Sequence, residues 1–193
     1  MTEGHRTAVI TGAAAGIGAA TATLLGSQGW RVVGWDLERG DDADVEWERV
    51  DVGDSGSVAA AAAKLDEVHL LLNCAATAAR APAAEMTDEQ WERVLRVDLS
   101  GTFFCCRALH AHVARAGGVV VNMASIAGHR AWAGRANYCA AKAGVSMLTE
   151  VLGLEWAADG VRVVAVSPGF VMTPMMRESV AGGHLDIEAV NRR

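Results

Sequence analysis

The stretch Thr7-Ala-Val-Ile-Thr-Gly-Ala-Ala-Ala-Gly-Ile-Gly18 decides the fold of this chain. Its apolar start, Thr7 to Ile10, predicts a short buried strand, and the glycines predict a tight turn into a helix. Glycine lets the backbone approach a ligand closely, and a helix N-terminus offers unpaired N–H groups and a positive dipole end. This combination suits a pyrophosphate, whereas a plain glycine-rich turn is the alternative for isolated glycines.

A second apolar run, Arg31–Asp36, ends in an acidic residue at the distance expected of a dinucleotide-binding fold. Its carboxylate could accept hydrogen bonds from both hydroxyls of an adenosine ribose and would repel a 2′-phosphate. Residues 13–15 contain no Lys or Arg that could hold that phosphate. The sequence therefore favours NAD(H) over NADP(H), although Arg39 is close enough in sequence to reach a phosphate.

Composition indicates one enzyme-sized domain. The chain has 193 residues, of which 51% are hydrophobic, and this is enough for one sizeable core over residues 1–193. A formal charge of −6 argues against a nucleic-acid partner. The four cysteines lack metal-ligand spacing and indicate a reducing, cytoplasmic protein with no metal site. No run of about 18 apolar residues predicts a membrane span.

Apolar strands alternate with helices along the whole chain. Strands are predicted at residues 7–10, 31–36, 45–52, 68–73, 118–122 and 161–166. Helices are predicted at residues 57–65, after a capping box at 87–90, at 101–115, and around Tyr138 up to about residue 160. This pattern predicts an α/β fold, a Rossmann-type doubly wound parallel sheet of order 3-2-1-4-5-6 with helices on both faces. Its ligand would lie at the carboxyl ends of the strands.

Tyr138 and Lys142 are four residues apart, and Ser125 precedes Tyr138 by thirteen residues. On a helix, residues at this spacing project from the same face. A cation beside a phenol favours the phenolate, and a nearby Ser hydroxyl could hydrogen-bond a substrate oxygen. The trio is suited to moving a proton on or off a small alcohol or carbonyl. A chance pattern on a solvated helix is the alternative.

A set of short motifs runs along the chain in a fixed order. They are Thr11-Gly-x-x-x-Gly-x-Gly18, Asn73-Cys-Ala-Ala76, Ser125, Tyr138-x-x-x-Lys142 and Pro168-Gly169. In order and spacing, from about Thr7 to Thr173, the set resembles the short-chain dehydrogenase/reductase family. The resemblance implies a nicotinamide-dependent oxidoreductase with Tyr138 as general acid/base. Lys142 would assist Tyr138 and hold the nicotinamide ribose, and Ser125 would orient the substrate oxygen.

The resemblance also implies a set of cofactor contacts. Asp51 and Val52 would face the adenine ring, and Thr173 would meet the nicotinamide carboxamide. The full predicted cofactor-binding set is Gly12, Ala14, Gly16, Ile17, Gly18, Asp36, Asp51, Val52, Asn73, Ala75, Tyr138, Lys142, Pro168, Gly169, Val171 and Thr173.

Two substitutions depart from the family pattern. Ala76 stands where the family usually has Gly, and its methyl restricts the backbone. Asp98 stands where the family places an Asn that helps to hold a water near the Lys. As a fourth catalytic residue, an ionised Asp98 would keep Lys142 protonated and oppose the Tyr138 phenolate. The hypothesis is a pH–rate profile shifted to higher pH, or slower turnover. The alternative is that Asp98 only caps or kinks its helix.

The end of the chain also departs from the family. Family members continue through a substrate lid, a further helix and a seventh strand, so residues 175–193 would be an incomplete lid segment. The sixth strand would then be an exposed edge. A truncated chain is favoured, and an unusual dimer or a fold that has lost efficient catalysis are the alternatives.

The loop between Ser125 and Tyr138 should border the substrate. His129 and Trp132 are the predicted substrate contacts, and an Arg of this loop could hold a carboxylate. A solvated loop face is the alternative for its charged residues. The whole pattern predicts an NAD(H)-dependent alcohol dehydrogenase or ketone reductase that acts on a small alcohol or carbonyl as a homodimer or homotetramer. A non-catalytic dinucleotide-binding or redox-sensing protein, or an epimerase or isomerase that retains NAD, are the alternatives.

Overall fold

A parallel sheet of six strands forms the centre of the computed structural model, which describes residues 6–183. The strands are β1 (Thr7–Thr11), β2 (Arg31–Asp36), β3 (Val45–Arg49), β4 (Leu70–Asn73), β5 (Val119–Met123) and β6 (Arg162–Val166). Their order in the sheet is β3-β2-β1-β4-β5-β6, and every pair is parallel. The predicted doubly wound topology is confirmed.

Helices connect successive strands, except that a loop joins β2 to β3. The α-helices are α1 (Gly16–Ser27), α2 (Ser55–Ala62), α3 (Asp88–Val94), α4 (Gly101–Ala116), α5 (Ala136–Glu155) and α6 (Pro174–Ala181). The predicted capping box at Thr87 begins α3, since the Thr87 side chain accepts from the Gln90 N–H and the Gln90 side chain accepts from the Thr87 N–H. A π-helix, Leu95–Ser100, joins α3 to α4. Within residues 6–183, none of these helices has both the length and the apolar character needed to cross a bilayer.

The core has two layers because successive strand residues point to opposite faces of the sheet. Val9 belongs to one buried cluster, with Val58 of α2 and Leu109 of α4. Its neighbour Ile10 belongs to the other cluster, with Ala22 of α1. Helices therefore cover both faces of the sheet, as predicted.

The strand register places the carboxyl ends of the central strands at one edge. Thr11 of β1 is level with Trp35 of β2 and with Asn73 of β4. The Thr11 hydroxyl accepts the N–H groups of Cys74 and Ala75, at 3.0 and 3.1 Å. The turn after β1 and the loop after β4 are thus held together where the strand order reverses, which is the place for a ligand in such a sheet.

Some element boundaries differ from the predicted ones. β3 ends at Arg49, before predicted residue 52, because the chain then turns with a hydrogen bond from the Asp54 N–H to the Asp51 carbonyl. α2 begins two residues before the predicted start because the Asp54 carboxylate caps it by accepting the Gly56 N–H. α6 forms the beginning of the predicted lid segment, and residues 184–193 of that segment lie outside the described residues.

Candidate active site

A cavity of about 610 Å³ opens at the carboxyl ends of the strands. Most of the predicted site residues line it. They are Gly12, Gly16, Ile17, Asp36, Asp51, Val52, Ala75, Ser125, Trp132, Tyr138, Lys142, Pro168, Gly169, Val171 and Thr173. The cavity therefore joins the glycine turn, the acidic strand end and the Ser, Tyr and Lys side chains in one space.

The glycine turn forms one wall of this cavity and has no room for larger residues. Gly12 and Gly16 have φ values of +67° and +58°, which favour glycine. A Cβ at Gly12 would lie 2.8 Å from the Ala75 Cα, and one at Gly16 would lie 3.3 Å from the Thr173 Cγ2. The turn at Gly16 therefore comes close to the Thr173 loop, and the start of α1 faces the cavity between them.

Asp36 lines the cavity at the end of β2 and is held there by backbone hydrogen bonds. One carboxylate oxygen accepts the Ala14 N–H at 3.0 Å, and the other accepts the Leu37 N–H at 2.8 Å. Arg39 is exposed and does not line the cavity. The end of β2 therefore presents a fixed negative charge next to the glycine turn.

Tyr138 lies in the first turn of α5 and is anchored by its neighbour. The buried Asn137 side chain accepts the Tyr138 N–H at 2.7 Å and donates to the Gln90 carbonyl of α3 at 3.0 Å. Ser125 follows β5, and its hydroxyl accepts the Ala127 N–H at 3.1 Å. One strand end and one helix start therefore bring the two hydroxyl-bearing residues to the same cavity.

Lys142 lies one turn after Tyr138 and is almost completely buried, with 3% exposure. Its ammonium donates to the Met123 carbonyl at 2.8 Å and lies 5.7 Å from the centre of the Tyr138 ring. The predicted convergence of these two side chains on one helix face is present. A buried cation near a phenol can stabilise negative charge that develops on the phenol oxygen.

Asp98 lies behind Lys142, in the π-helix, and does not line the cavity. Its carboxylate accepts the Thr77 N–H at 2.8 Å and lies 3.5 Å from the Lys142 ammonium. Burial raises the pKa of Asp98, and the nearby Lys142 charge opposes that rise. Asp98 is therefore placed to act on Lys142 and not directly on a substrate.

Several predicted residues lie away from the cavity. The Asn73 side chain is buried and donates to the Asn122 side chain at 2.8 Å, so it links β4 to β5 inside the sheet. His129 contacts the Ser167 hydroxyl at 3.0 Å and does not line the cavity. Ala14 does not line the cavity, and its N–H donates to the Asp36 carboxylate at 3.0 Å. A Cβ at Gly18 would lie 2.1 Å from the Gly12 carbonyl oxygen, so Gly18 lets α1 pack against the turn.

Ala76 does not adopt the left-handed backbone conformation that would favour glycine at this position. No residue other than glycine has a positive φ within residues 6–183. The Ala76 methyl therefore meets no such backbone constraint, and Ala76 itself lines the cavity.

The structure adds residues that the motifs did not single out. Leu37 and Arg96 line the cavity, and Arg135 lines it beside Tyr138. Cys74 also lines it, and burial raises the pKa of its thiol to about 11, so the thiol stays protonated near neutral pH. Leu37 and Arg96 belong to no motif, since their place at the cavity depends on packing between distant segments, whereas Cys74 lies within the motif Asn73-Cys-Ala-Ala76. Arg135 belongs to the loop before Tyr138, for which the sequence predicts an Arg that could hold a carboxylate.

Comparison with known proteins agrees with this geometry. Residues 6–182 match the family model for short chain dehydrogenases. The chain is 41% identical to cis-4-hydroxycyclohexanecarboxylate dehydrogenase of Sinomonas cyclohexanicum, over 96% of this chain and 79% of that protein. It is 38% identical to D-threitol dehydrogenase of Mycolicibacterium smegmatis, over 88% and 72%. A solved structure described as ribose-5-phosphate isomerase from Brucella melitensis is 39% identical, with a TM-score of 0.87 over 94% and 75%.

Proposed function

Since the chain belongs to the short-chain dehydrogenase family, we propose that it is an NAD(H)-dependent oxidoreductase that interconverts a secondary alcohol and a ketone. The observation that carries the proposal is the shared cavity. Tyr138, Lys142 and Ser125 line the same space as the glycine turn at Gly12 and Gly16. A proton-transfer group and a diphosphate-binding turn are both needed for this reaction.

The residues of the glycine turn fit a dinucleotide. Side chains at Gly12 and Gly16 would fill the space against Ala75 and Thr173, and their absence lets a diphosphate approach the N-terminus of α1. The Asp36 carboxylate would accept hydrogen bonds from the adenosine ribose hydroxyls and would repel a 2′-phosphate. This supports NAD(H) over NADP(H).

Tyr138 is proposed to take the hydroxyl proton of the alcohol during oxidation and to return it to the carbonyl oxygen during reduction. Ser125 would donate a hydrogen bond to that oxygen and hold it. Lys142, 5.7 Å from the centre of the Tyr138 ring, would stabilise the phenolate form of Tyr138. A nicotinamide cofactor held in this cavity would supply the hydride chemistry of the reaction.

The test is the substitution Tyr138→Phe, which removes the phenol oxygen and keeps the ring. Loss of a positioned general acid/base should lower kcat by about 10²- to 10⁴-fold. The assay is NADH absorbance with a panel of secondary alcohols and hydroxy acids. Ser27→Ala, which removes an exposed hydroxyl on α1, is the control and should keep full activity. Turnover by Tyr138→Phe at the wild-type rate would refute the role of Tyr138.

Two other functions remain as candidates. An isomerase or epimerase that retains NAD is the second candidate, because the similar Brucella melitensis structure is described as a ribose-5-phosphate isomerase. Such an enzyme would convert its substrate without net formation of NADH, which the same assay distinguishes. A non-catalytic dinucleotide-binding or redox-sensing protein would bind NAD(H), and Tyr138→Phe would change nothing in its behaviour.

The proposal extends to assembly and location. Met147, Val151 and Leu154 are exposed on α5, at a spacing that places them on one helix face. An exposed apolar face of this kind is suited to a contact between subunits. We therefore propose that the subunits form a homodimer or homotetramer. We also propose that each subunit is a single domain, that the protein is cytoplasmic and that it acts on a small-molecule alcohol or carbonyl.

A further inference from the structure

Arg135 is a buried cation at the start of α5, the helix that carries Tyr138. It is the N-cap residue of α5, three positions before Tyr138, and it is only 8% exposed. It lines the cavity of the candidate active site and also a second cavity of about 610 Å³, which is lined by the loop after β4 and by α6. Arg135 therefore lies where the two cavities meet.

The guanidinium of Arg135 has no compensating anion in the part of the chain that the structure describes. Among residues 6–183 it forms no side-chain hydrogen bond or ion pair, and its contact is the face of the Tyr138 ring, with 5.4 Å between the guanidinium carbon and the ring centre. Burying a charge is unfavourable unless the charge is paired. A bound anion would pair it.

The surroundings of Arg135 are basic. The second cavity is also lined by Arg80, which donates to the Ser179 hydroxyl, and by Arg93, which donates to the Ala78 carbonyl at 3.0 Å. Among the described residues that line the second cavity, Glu178 is the one acidic residue, and its side chain is exposed. The positive end of the dipole of α5, a helix of 20 residues, adds to this field.

The cavity that Arg135 lines also has an apolar surface, formed by aromatic side chains. Trp132 lines the active-site cavity and stacks on Phe170, with ring centres 5.3 Å apart and planes at 17°. A cation beside such a surface is suited to a ligand with an apolar body and one anionic group. Guanidinium binds a carboxylate through two parallel hydrogen bonds, which adds orientation to affinity.

We propose that Arg135 binds a carboxylate of the substrate, so that the enzyme acts on a hydroxy acid or oxo acid whose apolar body lies against Trp132. The assignment of a substrate to this cavity rests on the proposed dehydrogenase function. Arg135 holds the carboxylate while Tyr138, whose ring it contacts, handles the hydroxyl of the same molecule. Arg135 is thus a residue that determines substrate specificity.

The direct test is a comparison of two ligands of the same shape, cyclohexanecarboxylate and cyclohexanecarboxamide. Their affinities for the full chain are measured by calorimetry with and without NADH. The wild-type protein should bind the carboxylate more tightly than the amide. Arg135→Gln should weaken carboxylate binding by at least about tenfold and leave amide binding unchanged. Equal wild-type affinities for the two ligands overturn the proposal.

Matched variants separate this role from a structural one. Arg130→Gln removes the same charge from an exposed position of the same loop and should leave both affinities unchanged. Arg135→Lys keeps the charge without the paired hydrogen bonds and should weaken carboxylate binding partly. If Arg135→Gln does not fold, Arg135→Lys carries the test, and a wild-type carboxylate affinity in that variant overturns the proposal. Equal losses of affinity for the carboxylate and the amide, or a loss of affinity for NADH alone, also overturn the proposal.

Turnover distinguishes failure of this inference from failure of the proposed function. With a hydroxy acid and its amide as substrates, Arg135→Gln should raise KM for the acid by at least about tenfold and leave KM for the amide unchanged. If no substrate is turned over but the carboxylate binds as expected, the proposed dehydrogenase function is rejected and carboxylate binding by Arg135 is supported. Turnover in which Arg135→Gln affects acid and amide equally would keep the dehydrogenase and reject the anion site.

Discussion

Asp98 shows how one residue can influence the site without reaching the cavity. It is fully buried, and its carboxylate meets the Thr77 N–H on one side and the Lys142 ammonium on the other. One of its oxygens has no hydrogen-bond partner among the described residues. A carboxylate in such a place is destabilised by loss of water and only partly compensated by the lysine.

This placement predicts a pH-dependent contribution to stability. Burial raises the pKa of Asp98 above its ordinary value of 3.8. The folded protein then holds the Asp98 proton at pH values where the unfolded chain has released it. Because the folded state binds more protons in that window, the free energy of unfolding falls as pH rises from about 4 through the folded pKa.

The measurement is urea unfolding of the wild type and of Asp98→Asn across pH 4 to 8. The free energy of unfolding of the wild type, relative to that of Asp98→Asn, should decrease with rising pH. Asp41→Asn, which removes an exposed carboxylate, is the control for the loss of one charge. Parallel pH curves for the wild type and Asp98→Asn would contradict a raised pKa for Asp98.

At the scale of secondary structure elements, α1 and the turn before it form a closely packed unit of the site. Gly18 and Gly26 both lie in α1, but their surroundings are opposite. A Cβ at Gly18 would lie 2.1 Å from the Gly12 carbonyl oxygen, and a Cβ at Gly26 would meet nothing within 4 Å. The N-terminal part of the helix is therefore pressed against the turn, and its C-terminal part is not.

Alanine substitutions at these two glycines should have opposite effects. Gly18→Ala should lower the free energy of unfolding by about 1–3 kcal/mol, because the added methyl forces the turn away from α1. It should also weaken NADH binding, since the displaced turn forms the cavity wall. Gly26→Ala, the matched control, should raise the free energy of unfolding by about 0.5–1 kcal/mol, since Ala is the better helix former. Urea unfolding measures both, and an unaltered stability in Gly18→Ala would refute this packing.

The π-helix between α3 and α4 was not predicted from the sequence. It contains Asp98, and its last residue, Ser100, directly precedes α4. A π-helix adds residues to a turn and changes the direction of its side chains, and such segments are frequent at functional sites. The sequence predicts helix after the capping box at 87–90 and again at 101–115, but hydrophobic spacing alone does not distinguish i→i+5 from i→i+4 hydrogen bonds.

At the scale of the whole molecule, the cavity is built from segments that are far apart in sequence. The turn after β1, the end of β2, the loop after β4 and α5 all contribute lining residues. A ligand that contacts all of them binds only the folded state and therefore stabilises the fold by mass action.

NAD+ should raise the melting temperature more than NADP+ does. At a concentration 100 times its Kd, NAD+ should add about 2.7 kcal/mol of stability, which corresponds to roughly 5–11 °C in a domain of this size. NADP+ at the same concentration should add less, because its 2′-phosphate meets Asp36. In Asp36→Ser the difference between the two cofactors should shrink. Thermal unfolding followed by circular dichroism is the measurement, and equal shifts in the wild type would contradict the preference for NAD(H).

Local spacing determined much of what could be predicted. Tyr138 and Lys142 share a helix face because four residues make about one turn, and this needs no knowledge of the rest of the molecule. The strand before Gly12 and the helix after Gly16 follow in the same way from short-range pattern. The topology of the sheet follows from alternating apolar strands and helices joined by right-handed crossovers.

Only the tertiary structure separated the predicted polar residues that line the cavity from those that do not. Asn73 turns into the sheet to reach Asn122, 49 positions away, and His129 reaches Ser167 instead of the cavity. Arg135, one of several charged residues in its loop, is buried without a compensating anion among the described residues. The sequence by itself determined the six strands, most of the α-helices and the spacing of the Tyr and Lys residues, because these depend on neighbours along the chain. Burial, pairing and direction depend on distant segments that meet only when the sheet and its helices pack.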